Sequence, residues 1–305
     1  MYEFPCMNTS IKAFDVPEKT RHKVQALFKK SEQTLSRFDS SSELSQLNRS
    51  FHIPFLCSSI LFAAIKTAEK YYRCTKGIFN PYLGKQITEL GYHCSFENIQ
   101  QTEIVLPIQR LNTKIDDSIS INNGMRSITL QKRVQIDLGG IAKGWTAQCI
   151  SELLQEEGYS NGVLVAGGDI TVWGAKKQEK TIRIEHPVYE HSPVCSFVLQ
   201  NDAGIATSSI KKRKWLASSG DVLHHILDPR TSLPSDSDLM QASVIAPTLT
   251  DAEVFAKCLL VLGWKDGLAL LHSFHKPIIS IGITTTGELL YDGDLTTYLR
   301  GGIIV

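Results

Sequence analysis

Between Pro17 and Arg37 the apolar positions Val24, Leu27, Phe28 and Leu35 recur at helical spacing among many Lys, Arg and Gln residues, which predicts a surface helix with one buried face. Ser58 to Cys74 repeats the pattern through Leu61, Ala64, Ile65, Ala68, Tyr71 and Tyr72, with Gly77 as its stop signal. From Thr102 to Leu138 the period shortens, and SISIN and SITLQ, separated by Asn122, Asn123 and Gly124, read as two strands of a hairpin. Ile141, Trp145, Cys149 and Leu153, flanked by Ala142, Ile150 and Leu154, then line a helix that Gly158 closes.

Strands are expected next at GVLVAG (162–167), TIRIEH (181–186), CSFVLQ (195–200), HHILD (224–228) and ASVIA (242–246). Thr250 and Glu253 fit a capping box, so a helix is expected to open at Asp251 and run through VFAKCLLVL to Gly263, apolar nearly all round and hence buried. IISIGITTTGELLYDG reads as a final hairpin turning near Thr286 and Gly287. No solenoid repeat or low-complexity linker interrupts the chain, which reads as one α+β unit with long insertions.

Composition narrows the partners. With 305 residues, 42% hydrophobic and 21% charged, the chain is an ordinary globular sequence with enough apolar surface for a sizeable core. Its 32 basic and 31 acidic residues leave a net charge of +1, which points to neither nucleic acid nor a membrane surface. Seven scattered cysteines with no CxxC pair argue against a disulfide framework or zinc knuckle and suit a reducing compartment. The N-terminal MYEFPCMNTSIKAF lacks a basic segment followed by an apolar one, and no run approaches the roughly 18 apolar residues of a membrane span. The expectation is a cytoplasmic chain.

Four segments carry candidate chemistry. DLGGIAKG (137–144) reads as a strand end, a glycine turn and a helix start, where backbone N–H groups and a partial positive charge suit a phosphate; the same letters also fit a purely structural turn. GVLVAGGD (162–169) is a tight turn, or a place where a ligand approaches the backbone. GIATSSIKKRKW (204–215) and HHILDPRTSLP (224–234) set hydroxyls and basic groups near His224, His225 and Asp228, as a diphosphate cradle with a general base or as a solvated loop with half-buried histidines. Asp251, a first-turn acid, is stabilised by the helix dipole; as a metal ligand it needs oxygen partners from elsewhere.

In this order the segments resemble the ApbE family, the magnesium-dependent FAD:protein FMN transferases. MNTSIKAF (7–14), SRFDSSSELSQLN (36–48), GIFNPYLGK (77–85), IDLGGIAKGW, VAGGDITVWG, IATSS, HHILDPRTSLP and TDAEVFAKCLLVLG are similar to family motifs and follow in family order. The resemblance implies a single ApbE-like α+β domain over residues 1–305, with mixed, largely antiparallel strands and packed helices. It also implies FAD as donor, FMN moved through its phosphate onto a Thr or Ser hydroxyl of an acceptor protein, and AMP released.

Carried over residue by residue, the resemblance implies that Asp137 and Lys143 contact FAD, while Met7, Phe38, Leu90, Gly91, Tyr92 and Leu227 line the flavin nucleotide. Thr207 and Ser208 would lie near the phosphates, His225 would act as base with Asp228 placing it, and the Gly140 carbonyl and Asp251 would hold Mg2+. Such chemistry needs charge neutralisation, donors for phosphate oxygens and a base near the incoming hydroxyl. The chain departs from the family at Asn8, Ser209 and Ser232, and at Phe255, where the family places a metal-binding threonine. Alternative activities with the same residues are FAD pyrophosphatase, with water in place of the acceptor hydroxyl, and a non-catalytic FAD-binding module.

Overall fold

The computed structural model describes residues 1–94, 119–131, 134–176, 178–189, 191–211, 213–216 and 222–305. Residues 102–118 of the alternating stretch and Lys212 of the basic run therefore lie outside the described residues. The chain forms two compact units: the first comprises Met1–Phe28, Lys143–Lys212 and Asp236–Val305, and the second Lys29–Ala142 and Arg213–Ser235.

The first unit is organised by an eight-stranded sheet. From edge to edge its strands are Tyr2–Cys6, Thr9–Phe14, Gly162–Ala166, Asp169–Trp173, Ala203–Ser209, Leu239–Ala246, Ile279–Thr284 and Leu289–Asp292. Every neighbouring pair is antiparallel, and spatial order follows sequence order, so the sheet is a meander interrupted by long insertions. Two turns share one end of it. Met7 and Asn8, with φ of 55° and 54°, close the first hairpin, and Gly167 and Gly168, with φ of 67° and 102°, close the third-to-fourth strand hairpin. The Gly167 N–H donates to the Ser10 carbonyl at 3.2 Å and ties the two ends together. The GG pair thus serves a turn that needs left-handed backbone at both positions, and Asn8 is among the few side chains that tolerate it in the other.

One sheet face buries Val163, Val172, Ile205, Ile245 and Ile281 against Ile182, Ile184, Phe197 and Leu199 of a three-stranded sheet formed by Lys180–Glu185, Pro193–Leu199 and Leu299–Ile304. Against the strands Ala203–Ser209 and Leu239–Ala246 also packs the helix Leu249–Leu262. Leu239–Ala246 is buried along its whole length, which explains why its sequence shows no polar alternation. Its buried Gln241 amide is satisfied by donating to the Glu185 carbonyl at 2.9 Å.

Two helix expectations need correction. Thr248, not Thr250, caps the buried helix: its extended backbone lets its hydroxyl accept from the Asp251 N–H at 3.0 Å, so the helix opens at Leu249. In the helix Ala142–Glu156 the fully buried stripe is Ala147, Ile150, Ser151 and Leu154, whereas Trp145, Cys149 and Leu153 are only half-buried. Ser151 hides that stripe from a hydrophobicity reading, because its hydroxyl is satisfied locally by the Gln148 carbonyl at 2.8 Å.

The helix Glu18–Leu35 begins in the first unit and ends in the second, and buries Val24, Phe28 and Leu35 as their spacing requires. The second unit continues with helices Glu43–Leu47, Ser59–Cys74 and Gly84–Glu89. Ser58 caps the longest of these by accepting from the Leu61 N–H at 3.2 Å. The SISIN–SITLQ hairpin is present, with Ile119 opposite Leu130 and Asn122 opposite Ser127, but its loop extends past Gly124 to Arg126, which takes φ of 49°. Of the RVQI stretch, the described residues 134–136 form no strand; Gln135 bridges to Leu83, and the Asp137 N–H donates to the Pro81 carbonyl at 2.8 Å.

HHILD is likewise not one strand. Val222–His224 pairs with Lys214–Leu216, Leu227–Asp228 pairs with Leu233–Pro234, and His225 falls in the break because the two halves take different partners. Helices and antiparallel strands together make the chain α+β, as expected. Among the described residues no helix is long and apolar enough to cross a membrane.

Candidate functional site

In the first unit, Lys143 stands in the opening turn of the helix Ala142–Glu156, where the helix dipole disfavours a cation. Two acids offset this. Glu253 Oε1 lies 2.8 Å from Lys143 Nζ, and Asp169 Oδ2 lies 3.8 Å from it. Glu253 Oε2 also accepts the Gly144 N–H at 2.8 Å, so one buried carboxylate neutralises the lysine and satisfies an orphan donor of the helix. A Cβ on Gly144 would stand 2.7 Å from that oxygen, so a larger residue here would displace the Glu253 carboxylate.

Asp169, just after the Gly167–Gly168 turn, accepts the Thr207 N–H at 3.1 Å, and the Thr207 hydroxyl pairs with that of Ser243 at 2.8 Å. Lys143, Asp169 and Thr207 are therefore joined in one polar network. Thr207 joins that network through its backbone N–H, and the Ser208 side chain lies on the sheet face opposite the Thr207 hydroxyl. Met7 sits half-buried in the hairpin turn at the same end of the sheet as Gly167.

Asp251 is only 2% exposed. Its Oδ2 accepts the Thr248 hydroxyl at 2.9 Å and its Oδ1 meets Lys276 Nζ at 2.5 Å. The Phe255 ring lies one helical turn on, packed on Phe274 at 4.6 Å between centroids, with Lys276 Nζ 5.9 Å from the Phe255 centroid. Tyr298 donates to the carbonyl of Pro277, next to Lys276, at 3.0 Å; burial first, and then the Asp251 charge, push its phenol up to about 12. Magnesium requires near-octahedral oxygen at about 2.0–2.1 Å. An aspartate already paired with an ammonium, beside a phenyl ring in place of a hydroxyl, does not fit that ion.

In the second unit the aromatic residues converge. Phe38 meets Tyr92 edge-on at 5.6 Å, Tyr92 stacks on Trp215 at 5.5 Å, and His225 stands edge-on to Tyr92 at 6.3 Å. Trp215 donates its indole N–H to the Leu90 carbonyl at 2.8 Å, and Leu90, Tyr92, Trp215 and Leu227 share one apolar cluster against Phe38. Gly91, at φ of 95°, turns the chain out of the helix Gly84–Glu89 towards Tyr92.

Arg37 lies over both the Phe38 and Tyr92 rings, at 4.1 and 4.8 Å, and its Nε reaches Asp137 Oδ2 at 3.2 Å. The other Asp137 oxygen accepts the Gly139 N–H at 2.7 Å, while Gly140 is buried in the turn leading to the helix. Of the two histidines, His224 is buried with Nε2 3.0 Å from the Ser235 carbonyl, and His225 is half-buried. Asp228 forms a two-point pair with Arg230, Oδ1 to Nε at 2.9 Å and Oδ2 to Nη2 at 2.8 Å.

Sequence reasoning missed Arg37, Trp215, Glu253 and Lys276. Arg37 and Trp215 adjoin quoted motifs, in SRFD and KKRKW, so an aromatic beside a basic residue was their available signal. Glu253 was hidden by its apparent cap role, and Lys276 has no periodic context.

Burial pushes the Cys57 and Cys149 thiols up to about 12 and the Cys195 thiol up to about 11. At pH 8 these three are expected to resist alkylation in the folded protein, while exposed Cys74 is modified. Counting adducts by peptide mass checks this, and rapid modification of Cys149 would contradict it.

Fold and side chains together define an α+β protein with a lysine–carboxylate network and a ring-lined set of groups. The ApbE family matches residues 7–280, and the chain belongs to that family. A Vibrio cholerae protein named FAD:protein FMN transferase is 26% identical over 271 residues, covering 87% of this chain and 79% of its own. A Treponema pallidum protein of the same name is 26% identical over 268 residues, covering 82% and 73%. The fold matches the crystal structure of the ApbE protein from Thermotoga maritima with a TM-score of 0.83 at 20% identity, over 98% of this chain and 99% of that one. It matches the flavin transferase ApbE from Vibrio cholerae with a TM-score of 0.78 at 22% identity, over 98% of each.

Proposed function

We propose that this chain transfers FMN from FAD to a Thr or Ser hydroxyl of an acceptor protein, with residues 1–305 serving as one catalytic domain in the cytoplasm. The acceptor oxygen bonds to the FMN phosphorus, the bond from that phosphorus to the bridging oxygen breaks, and AMP leaves with that oxygen and its electron pair. The acceptor's hydroxyl proton passes to a base.

The observation that carries this reading is the ring-lined set of the second unit, with Phe38, Tyr92 and Trp215 in contact and His225 edge-on to Tyr92. Planar rings backed by apolar Leu90 and Leu227 suit an isoalloxazine, and a half-buried imidazole beside them suits proton removal. In this reading Met7 and Gly91 complete the nucleotide contacts, Asp137 binds an FAD hydroxyl, and Lys143 faces an anionic oxygen with Thr207 and Ser208 near the phosphates. Asp228, held by Arg230, fixes the backbone turn that follows His225. Asp251 and the Gly140 carbonyl are the positions the family gives to magnesium; since the groups around Asp251 do not fit that ion, no step depends on it here. The names of the Vibrio and Treponema relatives support the reaction class.

AMP release tests the reading. Mixed with FAD, the chain is expected to release AMP only when a protein bearing an accessible Thr or Ser target is present. AMP formed equally without acceptor would replace transfer by FAD hydrolysis, and FAD binding with no AMP under any condition would leave a binding module.

A further inference from the structure

We propose that the Lys276 ammonium is the resident cation of the Asp251 site, standing in for the divalent ion that the family resemblance implies. This rests on the transfer reading above, but its own observations are local to the first unit. Asp251 is nearly out of water, and a buried carboxylate needs a counter-charge. Lys276 supplies it at 2.5 Å from Oδ1, while the Thr248 hydroxyl uses Oδ2 at 2.9 Å.

Phe255 removes the hydroxyl that would have been a further hard ligand and places an aromatic face 5.9 Å from the same ammonium. A ring attracts an organic cation through its quadrupole but offers magnesium no oxygen. The loss of a metal ligand at Phe255 therefore coincides with a tethered charge at Lys276. Tyr298 holds the lysine's loop through the Pro277 carbonyl at 3.0 Å and stays protonated at neutral pH, so it adds no competing negative charge. The Lys276 side chain keeps 38% exposure, so its outer face remains available to an anionic oxygen while its inner face serves Asp251.

The experiment measures thermal stability and FAD binding of the full chain over a magnesium chloride series, with sodium chloride matched for ionic strength, and AMP release in EDTA. The native chain is expected to show no saturable magnesium-dependent rise in Tm, and EDTA is expected to leave AMP release unchanged. The double variant Phe255→Thr with Lys276→Ala is expected to acquire a saturable magnesium-dependent rise. Lys276→Met is expected to weaken FAD binding roughly 30-fold, the range for losing a charge-assisted hydrogen bond, and Lys276→Arg to restore most of it. Saturable magnesium stabilisation of the native chain, EDTA-abolished AMP release, or unchanged FAD binding by Lys276→Met would overturn the proposal. The magnesium and FAD readouts hold without turnover, so a chain that never transfers FMN would refute the transfer reading while leaving this one decided on its own data.

Discussion

Glu253→Ala is expected to destabilise the first unit by about 3 kcal/mol, the lower end of the cost of removing one partner from a buried ion pair. The native carboxylate is 7% exposed in its side chain and holds Lys143 at 2.8 Å and the Gly144 N–H at 2.8 Å. Without it the lysine faces the positive end of its own helix with Asp169, at 3.8 Å, as a more distant counter-charge, and a helix N–H loses its acceptor. Glu253→Gln keeps an acceptor for Gly144 but not the charge, so it is expected to lose about half as much. Urea unfolding decides the matter through the midpoint shift at constant m. A loss below about 1 kcal/mol for the alanine variant would show the network to be solvated like a surface pair.

His225→Ala is expected to reduce transfer about a thousandfold, within the range for losing a general base, while FAD binding changes little. The split follows from the geometry. His225 meets Tyr92 edge-on at 6.3 Å, whereas Phe38, Tyr92 and Trp215 pack as a group of rings. Trp215→Ala should act in the opposite sense, weakening FAD binding by removing the Tyr92 stack and the donor to the Leu90 carbonyl. Single-turnover rates at saturating FAD, beside equilibrium FAD binding, separate the two effects. A histidine variant that loses binding and rate together would make His225 a structural residue.

The elements legible in the sequence were those whose own side chains encode them. Leu61, Ala64, Ile65 and Ala68 repeat at helix spacing, and the helix Ser59–Cys74 is there; Thr286 and Gly287 mark a hairpin, and Gly287 takes φ of 91° between the paired strands Ile279–Thr284 and Leu289–Asp292. What failed depended on distant partners. HHILD has the composition of one strand, yet its halves pair with different segments and leave His225 in the gap. The Thr250–Glu253 box matched a cap pattern, but Glu253 is recruited by Lys143, far away in sequence, and Thr248 makes the cap.

The same division applies to the candidate site. Leu90, Tyr92 and Leu227 were named from motif resemblance, and the structure joins them in one cluster. Arg37, Trp215 and Lys276 escaped because an ion pair or a ring stack across many residues leaves no local period. Thr207 and Ser208 were read as a pair; strand geometry sends their side chains to opposite faces, and the bond from Thr207 to Asp169 comes from its backbone N–H, which no side-chain pattern encodes.

The transfer reading is tested most directly by the mass of an acceptor protein after incubation with this chain and FAD, in parallel with magnesium and with EDTA. An FMN adduct on a Thr or Ser is expected in both arms, with AMP released in equal amount. No adduct on any acceptor in either arm, or AMP without adduct, would contradict that reading.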